Sequence, residues 1–142
     1  MEIELLNNKK ISYKLQQQLT MLYKELNAEL RQLSLEEILQ EPEGIDIACC
    51  FDNDQVVGIA MMANYKVISG HKGMVEDVVV FEKYRGQGLG RKLMEKLLNC
   101  AIERKLDEVL LFSGHHRTTA INLYKSLGFK LKNSGLYVKK LV

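Results

Sequence analysis

The sequence has no apolar run near the ~20 residues that a transmembrane helix needs, and no low-complexity segment or internal repeat. Its N-terminus does not resemble a signal peptide. The 3 cysteines are an odd number without metal-ligand spacing, so we expect reduced, buried thiols in a cytoplasmic protein. These absences predict no membrane partner, no metal site and no disulfide framework.

The chain also lacks a strong overall charge, because its net charge is only +2. A dedicated nucleic-acid binder would be more basic, so no nucleic-acid partner is expected. Acidic side chains nevertheless dominate residues 25–54, where Arg31 is the only basic residue. This acidic window is either a solvated helical face or a surface that suits a cationic ligand.

With 142 residues, 46% of them apolar and 27% charged, the chain fits one globular domain, residues 1–142. Apolar periodicity predicts the order β-αα-βββ-α-β-α-ββ. We therefore expect an α/β fold with a mixed, mostly antiparallel central sheet and helices on both faces. The predicted strands are residues 2–6, 45–51, 55–64, 74–81, 108–112, 129–132 and 136–141, and the long helices are 12–33, 89–103 and 117–127.

Local signals predict where several helices begin and end. Ser12 is in position to cap the first helix, and Ser34 with Glu37 forms a capping-box pattern for a short second helix. Gly128 occupies the position just past the C-terminus of the last helix, where glycine is favoured. Each of these signals lies at an end of a helix that the apolar periodicity also predicts.

A glycine-rich turn, Arg-Gly-Gln-Gly-Leu-Gly-Arg at residues 85–91, joins a β-branched strand to the start of a helix. Its spacing fits neither the P-loop nor the dinucleotide G-x-G-x-x-G pattern. Backbone N–H groups at a helix start attract an anion such as a pyrophosphate, to which Arg85 or Arg91 would add charge. A tight turn without any ligand is the alternative.

The spacing Arg85-x-x-Gly88-x-Gly90 resembles the acetyl-CoA-binding motif [QR]-x-x-G-x-[GA] of the GNAT superfamily of N-acetyltransferases. The predicted element order also resembles that fold along the whole chain. The resemblance implies one GNAT domain with acetyl-CoA as its co-substrate. A second string resembles the family pattern A-x-x-L-Y-x-x-x-G-F, and it comprises Ala120, Leu123, Tyr124, Leu127, Gly128 and Phe129.

The resemblance also implies how the cofactor would bind. The strand before the turn would splay from its neighbour, which leaves backbone groups of Val78 and Val80 for the pantetheine arm. The pyrophosphate would lie on the N–H groups of residues 86–91. The implied cofactor-binding residues are Val78, Val79, Val80, Arg85, Gly86, Gln87, Gly88, Gly90, Arg91, Arg117 and Tyr124.

Two catalytic residues follow from the same resemblance. Tyr124 would be the general acid that protonates the departing thiolate, unless it is only a core tyrosine. Glu76 would be the base that deprotonates the attacking amine, and alternation places it on the strand face of Val78 and Val80. A solvated carboxylate with a water chain as base is the alternative for Glu76. Asp77 would point the other way, to fix a turn or to contact substrate.

One position departs from the family pattern, because Arg117 replaces an asparagine three residues before Ala120. Together with Glu76-Asp77, it resembles the small-molecule branch with aminoalkylphosphonate and amino-sugar phosphate acetyltransferases. The resemblance thus implies acetyl transfer to a small primary amine by direct attack. A protein N-terminal or lysine acetyltransferase and a non-catalytic acyl-CoA-binding module are the alternatives. The oligomeric state stays open, although the closing hairpin offers an edge for a homodimer.

Overall fold

A computed structural model describes residues 1–6 and 10–142. Its contacts divide the chain into two compact units, Met1–Phe112 and Ser113–Val142. The second unit contains helix α4 (Thr118–Ser126). The first unit contains strands β1 (Glu2–Leu5), β2 (Ile45–Asp52), β3 (Gln55–Val67), β4 (Gly70–Val80) and β5 (Glu108–Leu111), and helices α1 (Tyr13–Leu26), α2 (Leu35–Ile38) and α3 (Leu89–Glu103).

The strands of the first unit form one sheet in the order β1-β2-β3-β4-β5. The pairs from β1 to β4 are antiparallel, and β4 pairs with β5 in parallel. The parallel pair is made possible by α3, which crosses over between β4 and β5. The predicted α/β class with a mixed, mostly antiparallel sheet is therefore confirmed.

Helices cover both faces of this sheet. Leu19 and Leu22 of α1 belong to the same buried cluster as Ile59 of β3. The adjacent Gly58 points to the other face, where a Cβ atom would lie 3.2 Å from Cδ1 of Leu93 in α3. Because successive strand residues face opposite sides, α1 and α3 lie on opposite faces. The same alternation buries Cys49 and Cys50 completely.

Two of the predicted helix caps are present. The Ser12 Oγ accepts a hydrogen bond of 3.1 Å from the Leu15 N–H at the start of α1. Ser34 and Glu37 form the complete capping box at the start of α2, with the Glu37 N–H donating to the Ser34 Oγ at 3.2 Å. These side chains satisfy backbone donors that have no partner within the helix.

The first helix is shorter than predicted, because α1 ends at Leu26 rather than at residue 33. The Asn27 Oδ1 accepts a hydrogen bond of 3.1 Å from the Glu29 N–H. Asparagine side chains that bind nearby backbone donors compete with helix formation. The apolar period continues to Leu33, but Leu30 and Leu33 are exposed.

The hairpin between β3 and β4 is longer than predicted. The predicted strands stop at residue 64 and begin again at residue 74, yet Val67 pairs with Gly70 and β4 begins there. Gly70 has a φ of +145°, and a Cβ atom on it would lie 2.6 Å from the Asp107 Oδ2. This carboxylate accepts a hydrogen bond of 2.7 Å from the His71 N–H. Gly70 therefore permits a close approach to the chain before β5.

The two strands predicted for residues 129–132 and 136–141 are absent, since the described residues 113–142 contain no strand. Leu131, Leu136 and Val138 supply the apolar alternation that predicted them, but all three side chains are exposed. An isolated two-stranded hairpin is at best marginally stable in water. Alternation without burial was therefore insufficient to form these strands.

A buried ion pair fixes the end of α3 to the start of β2. The Asp46 side chain accepts hydrogen bonds from the Arg104 Nε at 2.7 Å and from its Nη2 at 2.9 Å. Asn64 donates a third bond to the same carboxylate, at 3.0 Å. Asp46 is only 2% exposed. This member of the acidic window thus binds an arginine of the same unit.

Candidate active site

Strand β4 pairs with β3 along most of its length, but it pairs with β5 only in its first half. Its parallel ladder with β5 begins at Lys72 opposite Glu108 and ends at Val75 opposite Leu111. On the other side, its pairing with β3 continues to Val80. The second half of β4 therefore has an open flank within the first unit, which is the splayed strand geometry that the family resemblance implies.

The backbone of Val80 points to this open flank. The Phe81 N–H donates a hydrogen bond of 2.9 Å to β3. In an antiparallel ladder alternate residues face the same neighbour, so Val79 also faces β3 while Val80 faces away. The Val80 carbonyl already accepts a bond of 2.9 Å from the Arg85 Nε. The Val80 N–H is therefore directed to the flank, whereas Val78 lies in the irregular part of the ladder with β3.

After β4 comes a short 3-10 helix, Glu82–Tyr84, and the glycine turn that follows it opens into α3. Gly86 and Gly88 have φ values of +80° and +78°, which side chains with a Cβ rarely adopt. A Cβ atom at either position would meet nothing within 4 Å, so backbone conformation and not crowding explains the glycines. Gly88 is the N-cap of α3 and supplies no side-chain hydrogen bond. The first N–H groups of this helix lack a capping side chain.

Both predicted arginines of the turn have carboxylate partners. Arg85 lies 3.5 Å from the Glu25 carboxylate of α1, which also accepts the Glu82 N–H at 2.9 Å. Arg91 lies 3.5 Å from Glu95, one helical turn further along α3. Arg85 thus connects the turn to β4 and to α1. No local signal identifies Glu25, because it lies 60 residues before its partner.

Glu76 lies beside a β-bulge that alternation did not predict. Met61 pairs with Glu76, and Ile59 pairs with Val79. Only one residue of β3 lies between these two pairs, whereas two residues of β4 do. Strand β4 therefore contains one extra residue, which is a β-bulge. The bulge contains Asp77, whose φ is +52°.

This bulge corrects the predicted direction of Glu76. An extra residue shifts the alternation by one position, so the strand faces before and after it are exchanged. Glu76 shares the α1 face with Val79, which belongs to the α1 cluster. Val80 is opposite Gly58 and points to the α3 face. Glu76 therefore does not share a face with Val78 and Val80.

The carboxyl groups of Glu76 and Asp77 form a small cluster with Tyr23 of α1. Burial raises the pKa of Tyr23, and the nearby carboxylates of Asp77 and Glu76 raise it further. Partial burial raises the pKa of Glu76, and the neighbouring charge of Asp77 raises it further. Burial also raises the pKa of Asp77, while the Tyr23 hydroxyl opposes this. A raised carboxyl pKa brings a general base closer to neutral pH.

In the second unit, Tyr124 lies on α4 and is 8% exposed. Burial raises its pKa, and the charge of Arg117 at the N-cap of α4 opposes the shift. The phenol therefore keeps its proton at neutral pH, as an acid must before it donates. The exposed His115 and His116 precede Arg117.

The predicted stop signal at Gly128 is confirmed. Gly128 has a φ of +94°, and its N–H donates to the Lys125 carbonyl at 3.0 Å. The Phe129 N–H donates to the Tyr124 carbonyl, also at 3.0 Å. These two bonds form a Schellman motif. The rings of Tyr124 and Phe129 are in edge-to-face contact, with centroids 6.1 Å apart, so the end of α4 holds Tyr124.

The family model described as the acetyltransferase (GNAT) family matches residues 12–129. The chain belongs to the GNAT acetyltransferase family. The match contains β2 to β5, the splayed half of β4, the glycine turn and Tyr124. The resemblance of the two sequence motifs is therefore confirmed at the level of the family.

Known proteins similar to this GNAT chain include one enzyme compared by sequence and two by structure. Mouse thialysine N-epsilon-acetyltransferase is 34% identical over 64 residues, which cover 45% of this chain and 38% of that protein. Glucosamine-6-phosphate N-acetyltransferase from Arabidopsis thaliana has a TM-score of 0.79 at 19% identity and covers 100% of both chains. An aminoglycoside acetyltransferase from an uncultured soil sample has a TM-score of 0.82 at 16% identity, with 99% and 95% covered.

These structural likenesses show the GNAT fold alone, because the identities are low. The matching stretch spans 22% of a chloroplastic GCN5-related N-acetyltransferase from Arabidopsis thaliana and 38% of the mouse enzyme.

Across residues 1–6 and 10–142, no helix has both the length and the apolar character needed to cross a bilayer.

Proposed function

We propose that this GNAT protein transfers an acetyl group from acetyl-CoA to the primary amine of a small molecule. Three features that follow one another along the chain support this proposal. The open flank of β4 leads through left-handed Gly86 and Gly88 to an α3 N-terminus without a capping side chain. This arrangement suits a ligand with an extended polar arm and a pyrophosphate, because backbone donors and the positive helix end serve both.

Acetyl-CoA fits this arrangement in two parts. The pyrophosphate would accept hydrogen bonds from the N–H groups of residues 86–91, with the charges of Arg85 and Arg91 close by. The pantetheine amides would bond to the backbone of Val78 and to the Val80 N–H. The left-handed glycines matter because a side chain at these positions would strain the turn.

The reaction needs one proton acceptor and one proton donor. Glu76 would remove a proton from the ammonium group of the acceptor, since only the neutral amine has a free electron pair. The amine nitrogen would then attack the acetyl carbonyl directly, with no acyl-enzyme. The new C–N bond replaces the thioester C–S bond, and Tyr124 would give its proton to the departing CoA thiolate.

The support for a small acceptor comes from similar proteins. Their names specify thialysine, glucosamine 6-phosphate and aminoglycosides as acceptors of those enzymes. All three are amines of low molecular weight. The predicted cytoplasmic location remains a proposal alongside this one. The homodimer was predicted on the edge of a closing hairpin, and the described residues 129–141 do not form its strands.

An acceptor screen tests the proposal. Purified protein would be mixed with acetyl-CoA and with a lysine-like amine, an amino-sugar phosphate, an aminoglycoside or a peptide with a free N-terminus, and thiol release would be followed. We expect turnover with at least one small amine and none with the peptide. Turnover with the peptide alone would indicate a protein acetyltransferase. Acetyl-CoA binding without turnover on any amine would indicate a non-catalytic module.

A further inference from the structure

The chain between β4 and the glycine turn is held by a side chain from α1. The 3-10 helix Glu82–Tyr84 has Phe81 at its N-cap, which supplies no side-chain hydrogen bond. The first N–H groups of a helix have no partner within it. The Glu82 N–H instead donates a hydrogen bond of 2.9 Å to the Glu25 Oε2. Glu25 therefore provides the cap that the local sequence lacks.

The same carboxylate oxygen also contacts the end of this segment. The Arg85 Nη2 lies 3.5 Å from the Glu25 Oε2, and the Arg85 Nε donates to the Val80 carbonyl at 2.9 Å. The Arg85 N–H donates to the Glu82 carbonyl at 3.1 Å, so the 3-10 helix ends where the glycine turn begins. One side chain of α1 thus contacts both ends of the segment that leads into the turn.

Glu25 occupies an unfavourable place in its own helix. It lies in the last turn of α1, which ends at Leu26, where the negative end of the helix dipole disfavours a carboxylate. The preceding Lys24 carries the charge that a helix end favours. Bonds to the Glu82 N–H and to Arg85 offset the cost, because hydrogen bonds to an ionised acceptor are strong. Glu25 therefore stabilises the segment before the turn rather than α1.

Other contacts keep this region folded when Glu25 is changed. The Tyr84 hydroxyl donates a hydrogen bond of 2.8 Å to the Asp52 Oδ2 at the end of β2. Leu19 and Leu22 anchor α1 in the core. Loss of the Glu25 side chain should therefore loosen the start of the segment without detaching it or unfolding α1.

We propose that Glu25 is a positioning residue for the pyrophosphate of acetyl-CoA, acting through the Glu82 N–H and Arg85 to fix where the glycine turn begins. This inference rests on the proposed function, in which the N–H groups of residues 86–91 bind the pyrophosphate. Glu25 is an anion and would repel the pyrophosphate rather than bind it. Its contribution is to hold the donors of the turn in place before the ligand arrives, which lowers the cost of binding.

The charge of Glu25 and its hydrogen bond act in opposite directions. The bond to the Glu82 N–H orders the turn, whereas the negative charge weakens the attraction of this surface for an anion. Glu25→Gln separates the two effects, because an amide oxygen still accepts the Glu82 N–H while the charge is lost. Glu25→Ala removes both.

CoA binding measured by calorimetry tests the hydrogen bond. We expect Glu25→Ala to bind CoA about 10-fold more weakly than Glu25→Gln, a difference of about 1.4 kcal/mol that is close to the contribution of one hydrogen bond. Glu25→Gln should bind at least as tightly as wild type. Glu29→Ala removes an exposed carboxylate just beyond α1 and is the matched control, which should bind as wild type does.

A shorter acetyl donor separates a positioning role from a general structural one. S-acetylpantetheine carries the thioester and the pantetheine arm but no pyrophosphate. With an acceptor amine from the screen, Glu25→Ala should raise KM for acetyl-CoA about 10-fold at unchanged kcat. Its kcat/KM with S-acetylpantetheine should equal that of wild type. Equal losses with both donors would overturn the inference, since a general loss of structure does not depend on the pyrophosphate.

The remaining outcomes distinguish this inference from the proposed function. If wild type does not bind CoA, the proposed function fails and this inference fails with it. If wild type binds CoA while Glu25→Ala and Glu25→Gln bind it equally well, the cofactor site stands and the positioning role of Glu25 is wrong. Should circular dichroism show Glu25→Ala unfolded, Glu25→Asp takes its place with the same expected weakening, because its side chain is one methylene too short to keep the bond to the Glu82 N–H.

Discussion

At the scale of single residues, Tyr124 has the properties of a general acid. Burial raises its pKa, so the phenol remains protonated through the neutral range and has a proton to donate. Tyr124→Phe should lower kcat by about 100-fold, the lower end of what general acid–base catalysis contributes. Acetyl-CoA affinity, measured by calorimetry, should change little, because the ring and its contact with Phe129 are kept.

A tyrosine with a purely structural role would give a different result. Tyr124→Phe would then leave kcat unchanged, since phenylalanine fills the same space. Tyr137→Phe is a suitable control, because this tyrosine is 96% exposed in the same unit and has no assigned role.

The pH dependence of turnover is a second test at this scale. The pKa of Glu76 is raised by partial burial and by Asp77, so the carboxyl stays protonated to a higher pH than an ordinary glutamate. Only its ionised form accepts a proton, and therefore kcat/KM should fall as pH drops through this raised pKa. Glu76→Gln should remove this acid limb along with most of the activity. An unchanged limb in that variant would assign the titration to another group.

At the scale of elements, the start of α3 depends on the conformation of Gly88. Its φ of +78° costs a residue with a Cβ roughly 1–2 kcal/mol, although open space surrounds the position. Gly88→Ala should therefore disturb the first N–H groups of α3 and raise KM for acetyl-CoA several-fold, with a smaller change in kcat. Steady-state kinetics at varied acetyl-CoA would measure this.

Gly44→Ala provides the comparison for Gly88→Ala. A Cβ atom at Gly44 also meets nothing within 4 Å, but its φ is not positive. KM should stay at the wild-type value in this variant. If the two alanine variants behave alike, the α3 N-terminus does not hold the pyrophosphate.

At the scale of the molecule, the order of the elements from β1 to α4 and the end of α4 were predictable because their signals are local. The Ser34 capping box and the Schellman glycine at Gly128 each involve residues within a few positions of one another. The last two strands were wrong because alternation alone cannot show whether a segment finds a partner to pack against. Leu131 supplies an apolar position that remains exposed.

The candidate site was predictable in its residue types but not in its geometry. Glycine spacing located the turn, because left-handed backbone has a direct residue preference. The bulge at Asp77 was not predictable, because it depends on the register of β4 with β3. The bond between Arg85 and Glu25 was not predictable either, since it joins residues 60 positions apart. Regular alternation therefore predicted that Glu76 shares a face with Val80. The register with β3 shows instead that Glu76 lies on the α1 face.

The fold of the first unit should depend strongly on the contact between Arg104 and Asp46. This pair joins the end of the α3 layer to the sheet, and Asp46 has almost no access to water. Arg104→Met would leave a buried carboxylate without its cation, which costs about 3 kcal/mol or more in free energy of unfolding. Urea denaturation should show a lower midpoint, with Glu95→Gln as control because its pair with Arg91 is exposed and worth about 0.5 kcal/mol.

The double variant Arg104→Met with Asp46→Leu shows whether the penalty comes from the unpaired charge. Apolar replacements for both partners of a buried ion pair are often neutral or stabilising, so much of the stability should return. Arg104→Lys should be intermediate, because one ammonium cannot reproduce the two hydrogen bonds that the guanidinium donates to Asp46. If Arg104→Met is no less stable than Glu95→Gln, the pair does not hold α3 to the sheet.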